Sequence, residues 1–331
     1  MTATATTDAF EDVPGYILGV TKAIWEDRGV ATLRQYYGDT IMVRSPASVV
    51  VGNTGVIAAT MATLHEFPDR ALFGEDVIWC DAPGGAALSS HRLISTATHS
   101  RAGVYGAPTG KTLEYRILAD CHVRNGVIDD EWLVRDQGAI VRQLGIDPQD
   151  YARTLIAAEG GPETCVQPFT PANDVVGPYT GTGNRNAWGD RYSDLITRIM
   201  QADFRAIPQS YDRGATLSYP GGVETRSFDG ADRFWMGLRA AFPSARFTVH
   251  HTIGREDPMM PPRAALRWSL HGTHDGWGSF GKPTGATVYV MGMCHAEFGL
   301  LTGCEPKLRR EWALIDETAI WKQILLQTGM L

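Results

Sequence analysis

The stretch HVRNGVIDDEWLVRD, His122 to Asp136, decides how this chain is to be read. It describes two strands meeting at Asn125-Gly126, with a histidine at one end and an aspartate at the other. Strand side chains alternate between faces, so whether those two groups meet depends on the turn. A two-residue type I′ turn would pair Arg124 with Val127 and His122 with Asp129, leaving Asp136 on the opposite face. A three-residue turn, Arg124-Asn125-Gly126 with Gly126 left-handed, would pair Val123 with Val127 and His122 with Ile128. Asp136 then shares the face of His122, together with Leu118, Ile128, Trp132 and Val134. The other face carries Asp129, Glu131 and Arg135, which suits water, so binary patterning favours the three-residue turn. The expectation is an apolar wall with an imidazole and a carboxyl group set into it.

The chain has 331 residues, which suggests two domains, each large enough to bury its own core. A net charge of −7 with interspersed signs argues against nucleic acid or an anionic membrane as partner. Five cysteines, Cys80, Cys121, Cys165, Cys294 and Cys304, show neither zinc spacing nor a disulfide framework. The opening MTATATTDAFEDVPG lacks the regions of a secretory signal, and no apolar run reaches membrane-spanning length. The expected setting is the cytoplasm.

Sliding the sequence against itself by 175 positions aligns Tyr36 with Tyr211, Gly55 with Gly230, Phe67-Pro68 with Phe242-Pro243 and Thr98-His99 with Thr273-His274. Pro108-Thr109-Gly110 meets Pro283-Thr284-Gly285 at the same offset. Beyond it the offset drifts, setting Cys121-His122 opposite Cys294-His295 and Glu131-Trp132 with Asp136 opposite Glu311-Trp312 with Asp316. Matches at one offset mark a duplication, and the unit is too long for a solenoid repeat. Each copy runs from amphipathic helices into a series of strands, the order of an α+β domain. The expected architecture is two tandem cone-shaped domains, each a curved antiparallel sheet wrapped around N-terminal helices. The first spans 1–150 and the second 188–331. Residues 151–187, rich in Gly, Pro and Thr, form a linker that Phe169 and Tyr179 pin to a surface.

These motifs, in this order, resemble the SnoaL-like polyketide cyclases of the nuclear transport factor 2 superfamily. The resemblance rests on Phe67-Pro68-Asp69, on Thr98-His99 followed by Gly106 to Gly110, on the Asn-Gly-Val-Ile hairpin, on Trp132 with Asp136, and on Arg142-Gln143-Leu144-Gly145. It covers essentially all of the first copy and, more loosely, most of the second. It implies a cone that often dimerises through its outer sheet face, here as an intrachain pseudo-dimer or a homodimer. It also implies no metal or organic cofactor, and ring closure by intramolecular aldol condensation with an aspartate as general acid and base beside a histidine. The matching positions are Asp136 and His122, with Asp316 and His295 in the second copy. That copy departs from the pattern, having Phe-Pro-Ser and ending in WKQILLQTG.

Taking a proton next to a carbonyl needs a base that titrates nearer neutrality than an exposed carboxylate, and burial beside Trp132 and Val134 would raise Asp136 toward that range. His122 would then steady the enolate oxygen. The structural reading of Asp136 is an ion pair with Arg116 or Arg135 at the end of a strand. Trp132 and Trp312 would wall the pocket or fill a core. His99 and His274 would face ligand or, more in keeping with their place, tie a strand to the Pro-Thr-Gly turn. His250-His251 face opposite ways and make a poor metal pair. The expected function is cofactor-free acid/base catalysis on a small apolar carbonyl compound by aldol-type cyclisation. Alternatives are a related isomerase, dehydratase or hydrolase, or a protein that binds such a ligand without turnover.

Overall fold

The computed structural model describes residues 10, 12–300 and 302–330. The first copy opens with α1 (Val13–Thr21), which Asp12 caps and a π-helical turn, Lys22–Glu26, extends. The short α2 (Leu33–Tyr36) leads into β1 (Tyr37–Ser45) and β2 (Ser48–Val51), and α3 (Asn53–Glu66) follows. Four long strands come next, β3 (Ala71–Ala82), β4 (Ala86–Thr98), β5 (Thr112–Arg124) and β6 (Val127–Arg135). Helices α4 (Gln137–Leu144) and α5 (Pro148–Ala158) close the copy, so α5 occupies the start of the segment read as linker.

The second copy repeats the scheme with α6 (Ala187–Met200), α7 (Ala206–Ser210), β7 (Tyr211–Tyr219) and β8 (Val223–Arg226). Its middle helix is α8 (Asp229–Ala231), a π-helical turn at Asp232–Met236, and α9 (Gly237–Ala241). The remaining elements are β9 (Arg246–Arg255), β10 (Arg263–Thr273), β11 (Thr287–Gly299), β12 (Lys307–Ile315) and α10 (Glu317–Thr328). Among the described residues no helix is long and apolar enough to cross a membrane.

Each copy builds one six-stranded sheet, β2-β1-β6-β5-β4-β3 and β8-β7-β12-β11-β10-β9. The α+β expectation holds, but the sheets are mixed. β1 runs parallel to β6, and β7 parallel to β12, while all other pairings are antiparallel. The inner face of the first sheet packs on α1 and its π turn through Tyr16, Ile17, Val20 and Ile24 against Ile41, Val77, Cys121 and Ile128.

The hairpin at Asn125-Gly126 departs from the expected turn. Both residues have positive φ, 53° and 71°, and Arg124 pairs with Val127, as a two-residue type I′ turn requires. The register then shifts at a bulge on β6, since Val123 pairs with Ile128 but His122 with Asp130. Asp129 is the extra residue. The bulge returns Asp136 to the face of His122, with Leu118, Trp132 and Val134, and moves Ile128 to the other face. The predicted face-sharing therefore occurs by a different route, with Ile128 as the exception.

That shared face is not the lining of a cone. It is the outer surface of the sheet and packs against the outer surface of the second sheet. Leu88, Leu118, Trp132 and Val134 meet Ala265, Met291, Met293 and Leu314. The contact has pseudo-two-fold symmetry. Arg267 lies 3.8 Å over the ring of Trp132 while Arg92 lies 3.5 Å over the ring of Trp312. A desolvated arginine–aromatic stack is worth roughly 2 kcal/mol, so these crossed pairs help to hold the two sheets in register. The connecting segment is anchored on this surface. Phe169 N–H donates to the Pro46 carbonyl at 3.0 Å, and Tyr179 N–H donates to Asp130 at 3.1 Å.

Candidate active site

The first sheet encloses a cavity of about 310 Å³ on its inner face, between β1, α3 and the strands β4, β5 and β6. This lies toward the lower end of the range for small-molecule sites. Its walls are apolar at Trp25, Val43, Leu93, Ile117, Ala119 and Leu133. Its ionisable groups are Tyr37, His91, Glu131, Arg70, Arg135 and, reaching in from the second copy, Asp316. Among the described residues, three buried polar atoms on this lining have no partner: His91 Nδ1, Glu131 Oε2 and Arg135 Nε. Buried polar atoms are seldom left without partners, so three around one void set it apart from an ordinary gap in an apolar core.

Glu131 sits on β6 opposite Cys121, with the Tyr37 phenol beside it. Burial pushes its carboxyl up to about 7; the Tyr37 phenol works against that rise and Asp130 adds to it. His91, on β4 opposite Ala119, is held down to about 4 by burial, so its ring is neutral at pH 7. The arrangement therefore offers a proton-transfer group near neutrality beside neutral hydrogen-bonding groups.

The second copy carries the same glutamate, Glu311, but the space of about 160 Å³ at the mouth of its cone is walled by Tyr219, Phe234, Leu238 and Phe280 and does not reach it. Glu311 accepts from Tyr192 Oη at 2.8 Å, from Tyr211 Oη at 2.8 and 2.9 Å, from Tyr219 Oη at 2.5 Å and from Trp235 Nε1 at 3.3 Å. The sheet register shows how the space was filled. Ser45 of the first copy is replaced by Tyr219 and Leu93 by Trp268, while on the middle helix the sequence offset of 175 sets Thr60 opposite Trp235. Trp235 and Trp268 are fully buried. One glutamate is thus sealed under aromatic rings and the other faces a void.

Apart from Asp316, the residues singled out from sequence lie elsewhere. His122 bonds Asp129 through Nδ1 at 2.5 Å, and its ring tilts against Tyr179 at 5.0 Å on the outer face. Asp136 caps α4, accepting from Ala139 N–H at 2.9 Å and, across the domain contact, from Gly221 and Gly222 N–H at 2.8 and 3.0 Å. Burial raises its carboxyl to about 6, the direction expected, with those N–H groups opposing the rise. It pairs with neither Arg116 nor Arg135: Arg116 is engaged by Glu75 and Glu224. His122 and Asp136 share a face but not a hollow, because the apolar stripe between them is covered by the second sheet. Replacing Asp136 with alanine removes a cap and the acceptor of two cross-domain N–H groups. A loss of about 2 kcal/mol is expected in denaturant unfolding, with the catalytic rate per folded molecule retained.

The other positions follow the same logic. His295 is not the counterpart of His122. β5 and β11 keep the offset of 175, so His295 matches Asp120, and its Nε2 meets Ser90 Oγ at 2.9 Å in the domain contact. The drift enters only after these strands, where a two-residue connection becomes seven residues. Likewise Tyr211 matches Tyr37, not Tyr36. Trp132 and Trp312 carry the crossed arginines and wall no cavity of their own cone. His99 and His274 each bond the threonine of the Pro-Thr-Gly turn, at 3.2 and 3.0 Å. His250 and His251 bond Ser269 and Tyr179. Asp316 caps α10, yet it also reaches the lining of the first copy's cavity.

Nothing in the sequence pattern marks His91, and the alternation along β6 puts Glu131 on the face that suits water. A signal for Glu131 existed, since a glutamate precedes the tryptophan in both copies.

The profile described as SnoaL-like polyketide cyclase matches residues 16–144, and the profile described as SnoaL-like domain matches residues 191–299. Among solved structures, wild-type IdmH from Streptomyces antibioticus is 23% identical, with 40% of this chain and 96% of that chain covered and a TM-score of 0.35. AclR from Streptomyces galilaeus is 21% identical over 44% of this chain and 96% of its own, with a TM-score of 0.34. A SnoaL-like polyketide cyclase from Agrobacterium tumefaciens is 18% identical over 40% and 96%, with a TM-score of 0.32. No curated protein sequence matches the chain. With both profiles falling on the duplicated units, the chain is a tandem of two SnoaL-like domains, the first of them matching the profile described as SnoaL-like polyketide cyclase.

Proposed function

We propose that the first domain is a cofactor-free acid/base catalyst acting on an apolar carbonyl compound, with aldol-type ring closure as the reaction. The observation that carries this reading is the Glu131 carboxyl, raised to about 7 by burial, with one oxygen unpartnered at an apolar cavity. As carboxylate, Glu131 takes the proton α to a ketone. The C–H electrons form the enolate, whose oxygen the Tyr37 phenol and the neutral His91 ring steady. The enolate carbon attacks a second carbonyl of the same molecule, and the proton on Glu131 passes to the new alkoxide. The second domain, its cone filled, serves as a wall that holds Asp316 at the edge of this site.

The test needs no knowledge of the natural substrate. An enolisable aryl ketone such as 1-tetralone, held in D₂O with the protein, should exchange its α protons, followed by NMR. Because the active form of Glu131 is the carboxylate, the rate should climb as pH rises through about 7 and level off above it. A rate without inflection between pH 5 and 9 contradicts the assignment. Binding without exchange would identify a carrier of such ligands instead.

A further inference from the structure

Two guanidinium groups at the cavity lack carboxylate partners. Arg70 and Arg135 both line it, flanking Tyr115, whose hydroxyl accepts from Arg70 Nε at 3.1 Å. Arg70 is buried, and Arg135 Nε is buried without a partner. Among the described residues no carboxylate oxygen comes within ion-pair distance of either, whereas the buried Arg44 has Asp130 at 2.5 Å and Asp174 at 2.6 Å.

Of the acids nearby, Glu131 lines the same cavity with one oxygen unpartnered but makes no ion pair with either arginine, and Asp316 and Glu66 are held by other groups. Asp316 accepts from Thr318 N–H, Thr318 Oγ1 and Ala319 N–H at the start of α10. Glu66 accepts from Val104 and Tyr105 N–H and faces His99. Tyr115 registers the excess of positive charge. Burial alone would push its phenol up, yet the two arginines, helped by a hydrogen bond with Ser95, turn the net shift downward. Leaving a buried cation uncompensated is costly, and such an arrangement is explained when a ligand supplies the anion.

We propose that the carbonyl compound taken by this cavity carries a carboxylate, which seats between Arg70 and Arg135. Arginine's planar fork suits a carboxylate's two oxygens, and the apolar walls at Leu93, Ile117 and Leu133 take the remainder of the molecule. This rests on the cavity being the ligand site, but not on Glu131 being the base.

The probes are 3-benzoylpropionate, an enolisable aryl ketone with a carboxylate, and its methyl ester, titrated by calorimetry at pH 7. The wild-type chain should bind the acid at least about tenfold more tightly than the ester, as expected for a charge-assisted pair. Arg70→Gln and Arg135→Gln should each erase most of that preference, while Glu131→Gln keeps it. Independently of any ligand, Arg135→Met should raise the melting temperature, since it removes a buried charge that has no internal partner. Equal binding of acid and ester by the wild-type chain, or a preference surviving in both arginine variants, overturns the proposal. So does a lower melting temperature for Arg135→Met, which would make the arginine a structural group. If Glu131→Gln abolishes exchange while the acid preference persists, both readings stand; loss of preference alone removes only this one.

Discussion

Replacing Glu131 with glutamine is expected to lower α-proton exchange by about 10²- to 10⁴-fold while leaving ligand affinity within a few-fold, since the amide keeps the shape and cannot take the proton. The same substitution is expected to make the chain more stable at alkaline pH. Glu131 titrates at about 7 in the folded chain, against 4.5 for an unperturbed glutamate. A raised carboxyl pKa favours folding fully below the unfolded value, and that contribution is lost as pH rises through about 7. Above pH 8 the glutamine variant should therefore exceed the wild-type chain by up to roughly 3 kcal/mol, with the difference vanishing near pH 4. Thermal unfolding across pH measures it. Activity and stability moving in opposite directions identify a strained functional group, which a merely structural glutamate would not imitate.

The largest expected stability loss lies in the other domain. Trp235 is fully buried, its ring lies 5.7 Å from Trp268 and 4.7 Å from Phe234, and its Nε1 donates to Glu311. Trp235→Ala removes that volume and one of the donors that satisfy a buried carboxyl group. A loss of about 3–5 kcal/mol is expected, read as an earlier transition in calorimetry. Exchange activity per folded molecule should survive, because the cavity of the first copy is walled by other residues. The reciprocal change, Leu93→Trp, copies the plug of the second cone into the first, and it should abolish ligand binding without unfolding the chain.

The duplication, the order of elements and the α+β class were all legible, because helical and strand periodicities and a fixed offset survive in the residues themselves. The position of the site was not. Patterning along β5 and β6 separates an apolar face with Leu118, Trp132 and Val134 from a polar one with Glu131 and Arg135. It tells which face is drier, but both faces of this sheet are buried. The apolar face is consumed by the second domain and the polar face lines the void. The hairpin adds a second lesson. Asn125-Gly126 forms the tight turn its residues favour, and the one-residue correction is made further along, at Asp129, where no glycine marks it. The asymmetry between the cones was present in the alignment as Thr60 against Trp235 and Leu93 against Trp268, whereas Ser45 meets Tyr219 only in the sheet register, one residue off the offset of 175. Only the packing reveals that these three substitutions converge on one space.

A crystal structure of the chain grown with 3-benzoylpropionate tests the central claim most directly. The account predicts one ligand per chain, on the inner face of the first sheet, with its ketone near Glu131 and His91 and its carboxylate at Arg70 and Arg135. A ligand bound instead between the two sheets beside His122 and Asp136, or inside the second cone against Glu311, would contradict it.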